Sequence, residues 1–128
     1  MKTIVVGSRG IDYYQLVSRG IEMVPWTITE VVSGCARQVH RLGERWAAAR
    51  NIPVKRFPAE WGPLEKTAGF LRNEQMARYA EALVALWDQK SNGSRHMVHR
   101  ATELGLAVLV ASTRDEILSL TKEQPPAG

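Results

Sequence analysis

The chain has 128 residues, 45% hydrophobic and 23% charged, with ten Gly and six Pro, which is the size and make-up of one ordinary globular domain. These figures exclude a collagen repeat and a low-complexity chain, and Cys35 as single cysteine excludes an internal disulfide or a Cys-based metal cluster. Seventeen Lys and Arg against thirteen Asp and Glu leave a formal +4, and most of the cations are Arg, whose planar fork of donors suits phosphate oxygens.

The first short β-branched run is Thr3 to Val6, reached directly from Met1-Lys2, and the pattern is that expected of a cytoplasmic chain without a signal peptide. No apolar run approaches the roughly 18–20 residues of a membrane span. Asp12 to Val24 has weak helical periodicity, and Ile28 to Val32 is the second strand-like run. Ala36 to Arg50 is a clear amphipathic helix: Ala36, Val39, Gly43, Trp46 and Ala47 share an inner stripe, and Arg37, Arg41, Glu44 and Arg45 lie outside it. Pro53 to Phe57 is the third strand. Residues 58–69, with Pro58, Gly62 and Pro63, read as a long loop.

Phe70 to Ala80 predicts a third helix and Ala82 to Trp87 a fourth strand. Ser94 to Leu104 predicts a fourth helix with Met97, Val98, Ala101 and Leu104 inward and Gly105 just past its end. Leu106 to Val110 is the last strand. Thr113 to Leu120 suggests a further short helix before a flexible tail, so residues 1–111 are expected to form the domain and 112–128 an appendage. Continuously apolar strands alternating with helices predict a single Rossmann-like α/β domain: three layers, a parallel five-stranded sheet with helices on both faces.

In such sheets ligands bind outside the carboxyl ends of the strands. Three strand ends carry small residues with Arg close behind: Gly7-Ser8-Arg9, Ser33-Gly34-Cys35-Ala36-Arg37, and Asp88 through Ser91, Gly93, Ser94 and Arg95. Glycine permits close backbone approach, helix starts supply free N–H groups and Arg adds charge, a combination suited to phosphate. Other constellations are weaker. Cys35 and His40 lie five apart, a poor spacing for a nucleophile and its base on one helix face. His96, His99 and Glu103 drift around their helix, so no metal site is expected. Trp46 and Trp87 read as core, whereas Trp61 in the long loop is placed to cover a ligand.

The series Val6-Gly7-Ser8-Arg9, Val31-Val32-Ser33-Gly34-x-Ala36-Arg37, Phe57-Pro58-Ala59-x-Trp61, Ala68-Gly69-x-x-Arg72-Asn73-x-x-Met76 and Trp87-Asp88-x-Lys90-Ser91-x-Gly93-Ser94-x-His96-Met97 resembles the YspA-like family of the SLOG superfamily. The resemblance runs from about Lys2 to Val110, and its most specific piece is the stretch around Arg72-Asn73. It implies a Rossmann-like pocket for a nucleotide-derived ligand such as a nucleoside phosphate or ADP-ribose, in a bacterial or phage sensor or sequestering binder without a cofactor. It also implies a homodimer or higher homo-oligomer. By that likeness Arg72 and Asn73 reach the ligand from the start of the third helix. Gly7, Ser8, Arg9, Ser33, Gly34, Cys35 and Ala36 cradle phosphate or sugar, Arg37 and Arg95 add charge, and Asp88, Ser91, Gly93 and Ser94 complete the rim.

Superfamily relatives imply two alternatives, a phosphoribohydrolase and a single-stranded DNA binder. The chain departs from the family at Cys35 and Gln38, where Gly is usual, and at His40, where Asp is usual. The Glu that follows the glycine-rich turn in the phosphoribohydrolases has no counterpart after Gly93-Ser94, which argues against that chemistry. Glu74 and Cys35 are the remaining catalytic candidates.

Overall fold

A computed structural model of the chain describes residues 1–7, 14–35, 39–58, 65–86 and 92–111. In chain order these form β1 (Lys2–Gly7), α1 (Tyr14–Glu22), β2 (Glu30–Ser33), α2 (Val39–Ala49), β3 (Val54–Arg56), α3 (Glu65–Tyr79), β4 (Ala82–Leu86), α4 (Asn92–Glu103) and β5 (Ala107–Ala111). The strands make one five-stranded sheet in the order β3-β2-β1-β4-β5, every pair parallel. The expected Rossmann-like α/β architecture is the one observed. Strand order reverses at β1, whose Gly7 pairs with Leu86 of β4.

The continuous apolar runs are explained by burial on both faces of the sheet. Along β1, Val5 packs with Leu16, Val17 and Ile21 of α1 and Val39, Trp46 and Ala47 of α2. Its neighbours Ile4 and Val6 point the other way, onto Met76 and Ala77 of α3 and Met97 and Ala101 of α4. Alternate residues therefore feed two cores, one on each face. The edge strand β3 is three residues long with Lys55 and Arg56 exposed, features that discourage further strand pairing.

Several boundaries differ from expectation. Residues 65–69, placed in the long loop, belong to α3, which starts at Glu65. Gly69 lies inside the helix at a cost of about 1 kcal/mol rather than breaking it. Consequently Arg72 and Asn73 sit in the middle of α3, not at its start. The inner stripe of α4 also ends sooner: Met97 and Ala101 are buried, but Leu104 is 38% exposed because the helix stops at Glu103.

Gly105, with φ 78°, closes that helix as expected: its N–H donates to the Thr102 carbonyl at 3.1 Å and the Leu106 N–H to the Ala101 carbonyl at 3.0 Å. Asn51, with φ 56°, ends α2 in the same way, the Ile52 N–H reaching the Ala47 carbonyl at 2.9 Å. The helix expected at Thr113 to Leu120 and the tail after it lie outside the described residues.

Candidate functional site

The carboxyl edge of the sheet is built around the short segment after β2. Gly34 is its hub. Its N–H donates to His40 Nδ1 of α2 at 3.0 Å, and its carbonyl accepts from an Arg72 Nη of α3 at 3.1 Å. A Cβ on Gly34 would stand 3.0 Å from Arg72 Nε and 3.1 Å from His40 Cε1, so a larger residue would have to push both side chains back by a few tenths of an ångström. Ser33 is fully engaged too: its hydroxyl donates to Glu44 at 2.7 Å and accepts from the Cys35 N–H at 3.2 Å. The other Glu44 oxygen takes Arg56 Nε at 3.0 Å. The N–H groups of Gly34 and Cys35, expected to cradle an anion, are therefore held by the chain's own acceptors.

His40 is the residue whose importance the sequence understated. It is 8% exposed and belongs to the buried stripe of α2. Burial lowers its pKa from 6.5 to about 4, the neighbouring Arg72 charge adds to the lowering, and Glu44 opposes it. The ring is thus neutral near pH 7, with Nδ1 as acceptor and the proton on Nε2. Its Nδ1 lone pair is spent on Gly34, and no described bond joins it to Cys35, so the Cys–His dyad weighed above does not form in this structure.

Cys35 itself is exposed and has φ 59°, a left-handed conformation that strains a residue carrying Cβ. Cys35→Gly is expected to raise stability by about 0.5–1 kcal/mol, relief of that strain outweighing the added freedom of the unfolded chain. The midpoint of urea unfolding measures this, and a lower midpoint would show that the thiol makes a contact worth keeping.

Arg72 is the charged group of the site. Besides Gly34 it reaches the Asn73 side-chain oxygen at 3.2 Å. Its Nε is buried and has no hydrogen-bond partner among the described residues. Burial pushes its pKa below the ordinary arginine range. The ion pairs between described residues do not include it. A half-buried guanidinium is thereby left without a described carboxylate partner at the edge where ligands of this fold class bind.

Asn73, 4% exposed, bonds through its amide nitrogen to His96 Nδ1 of α4 at 3.2 Å. The ring of Phe70, one turn earlier on α3, lies 4.5 Å from that of His96. Phe70 is 47% exposed and was not a sequence-level candidate; its spacing of three residues from Asn73 was the available signal.

The remaining candidates fall in several places. Gly7 ends β1, where its bare Cα accommodates α2: a Cβ there would be 2.4 Å from Val39 Cγ2, so packing alone demands glycine. Ser94 is buried in the first turn of α4 and Arg95 is exposed beside it. Gly93 is helical rather than part of a loop. Ser8, Arg9, Ala36, Arg37, Asp88 and Ser91, together with Trp61 and Trp87, lie outside the described residues.

Glu74 is held elsewhere. Arg100 of α4 reaches it at 2.5 and 2.6 Å and Arg78 at 2.8 Å, and these hydrogen bonds hold its carboxyl down at about 2. Fixed as a carboxylate between two cations, it clips α3 to α4 and lacks the basicity of a general acid or base at neutral pH. The clip explains the partial burial of Arg100. His99 pairs with Glu103 at 3.2 Å while His96 turns to Asn73, so the two histidines do not converge. A hollow lined by Ala77, Arg78, Ala80, Leu104 and Leu106 lies at the opposite, amino edge of the sheet. Among the described residues no helix is long and apolar enough to cross a membrane.

No family model matches the chain, and no curated protein matches it. Among solved structures it is similar to the X-ray structure of DNA processing protein A (DprA) from Streptococcus pneumoniae, with a TM-score of 0.70 and 20% identity. The alignment covers 95% of this chain and 56% of that one, so the chain spans a little over half the length of its neighbour. What the two proteins are shown to share is the Rossmann-like fold.

Proposed function

We propose that the carboxyl edge of the sheet binds a nucleotide-derived small molecule (a nucleoside phosphate, ADP-ribose or a related signal) and that the protein acts as a sensor or sequestering binder. The observation that carries this reading is Arg72, a half-buried cation set between Gly34 and Asn73, whose buried Nε–H has no partner and whose charge has no carboxylate among the described residues. A phosphate supplies the missing negative charge. The motif series resembling the YspA-like family supports the same reading, with the strand-end residues Ser8, Arg9, Ala36, Arg37, Asp88, Ser91 and Arg95 completing the rim and a homo-oligomer as the assembly. With Glu74 committed to its arginine clip, turnover is not part of the proposal.

Calorimetric titration with AMP and ADP-ribose tests it. Binding in the micromolar range is expected, and Arg72→Gln is expected to weaken it at least tenfold, the loss of a charge-assisted hydrogen bond. Absence of binding at high micromolar protein, or an unchanged affinity in a folded Arg72→Gln variant, overturns the reading. Affinity for single-stranded DNA that falls steeply with salt, with none for free nucleotides, would replace it by a nucleic-acid role.

A further inference from the structure

The chain Arg72–Asn73–His96 has a direction. A guanidinium can only donate, so the Asn73 atom facing Arg72 at 3.2 Å is the amide oxygen. That fixes the amide: the atom facing His96 is the NH₂ group, itself only a donor. His96 Nδ1 must therefore accept, and the ring proton resides on Nε2. Burial lowers the His96 pKa as well, which keeps the ring neutral. No hydrogen bond of Nε2 to another described residue is found, while the ring itself rests against Phe70, a large aromatic side chain left 47% exposed. Helix α4 thus delivers an oriented donor and α3 an open aromatic surface beside it, the donor connected to the cation of the site through a single buried asparagine.

We propose that Phe70 and the Nε2–H of His96 form the recognition point for a heteroaromatic base, which stacks on Phe70 and offers a ring nitrogen or carbonyl oxygen to His96. Asn73 is the positioning residue that sets the tautomer. This rests on the nucleotide reading above and names the part of the ligand that reading leaves open. A planar base satisfies the two features together: its face stacks on the phenyl ring and its edge carries acceptors. A sugar phosphate alone satisfies neither.

Two measurements on the full chain test the inference. In the ligand-free protein, imidazole nitrogen NMR is expected to show His96 protonated at Nε2. Asn73→Asp, which presents only acceptors, is expected to move a proton onto Nδ1. A wild-type His96 protonated at Nδ1, or a tautomer indifferent to that substitution, overturns the relay. In solution, AMP is expected to bind at least tenfold more tightly than ribose 5-phosphate, and Phe70→Ala is expected to collapse that ratio toward one. If the wild-type protein binds both ligands equally, or the ratio survives Phe70→Ala, the base platform is wrong and the anion site stands. If neither ligand binds, the nucleotide reading falls and takes the platform with it.

Discussion

Acidification from pH 6.5 to pH 4 is expected to remove about 3 kcal/mol of folding stability, and the histidine at position 40 is expected to account for most of the loss. In the unfolded chain His40 takes up a proton near pH 6.5; in the folded protein burial defers that to about 4. Between those values the unfolded state binds the extra proton, so stability falls as the pH falls, is fully present above 6.5 and is spent by 4. The gap corresponds to about 3 kcal/mol.

Protonation also has a local consequence. The imidazolium can no longer accept from the Gly34 N–H, and it places a second positive charge beside Arg72. His96, lowered in the same direction, contributes a smaller part of the slope. Glu74, held at about 2 in the folded protein, takes up its proton near 4.5 in the unfolded chain, so its own loss joins at the acid end of this range and deepens below it. Urea unfolding at half-unit pH intervals measures the slope. His40→Asn keeps an acceptor near the Nδ1 position but does not titrate; it is expected to lower stability overall and flatten the dependence between 6.5 and 4. A wild-type profile that is flat there, or a variant with the same slope, would sink the assignment to His40.

The second large effect is steric. Gly7→Ala is expected to cost about 3 kcal/mol, at the upper end for overpacking, because the added methyl runs into three atoms of the Val39 side chain. The contacts would be 2.4 Å to Cγ2, 2.9 Å to Cβ and 3.0 Å to Cγ1. A Cβ is anchored to the backbone, so no rotamer change clears it, and either the start of α2 or the end of β1 must shift. Val39 is 1% exposed in a filled core and offers no spare volume. Val39→Ala, destabilising alone, makes room for the methyl, and the double variant is expected to be more stable than the sum of the two single losses by at least 1 kcal/mol. Strict additivity, or a loss from Gly7→Ala below about 0.5 kcal/mol, would show that the interface yields more easily than its geometry indicates.

The fold was legible because short β-branched apolar runs recur along the chain, Ala36 to Arg50 carries a clear helical stripe, and Asp12 to Val24 a weaker one. Such runs have few solutions other than a parallel sheet covered on both faces. Helix starts were less legible: Gly69 reads as a breaker, yet the contacts of α3 outweigh the small cost of one glycine within it. At the site, spacing and motif pointed to Gly34, Arg72 and Asn73, and the structure brings these three together. His40 and Phe70 were harder to place. A histidine one position from a hydrophobic stripe looks like a surface residue until its partner Gly34 is known to lie beneath it. A phenylalanine in an apolar run looks like core until the helix is seen to turn it outward. Both depend on which way a helix is rotated against the sheet, information that resides in tertiary packing.

The hub at Gly34 also determines where the loop after β2 gets its shape. His40 holds the peptide plane before the Gly34 Cα, and Arg72 holds the plane after it. These two side chains come from helices on opposite faces of the sheet. One backbone torsion of Gly34 is thus governed by each outer layer, and its conformation is a joint setting of both. A shift of either helix against the sheet is therefore felt at the same α-carbon, although the two helices never share a face.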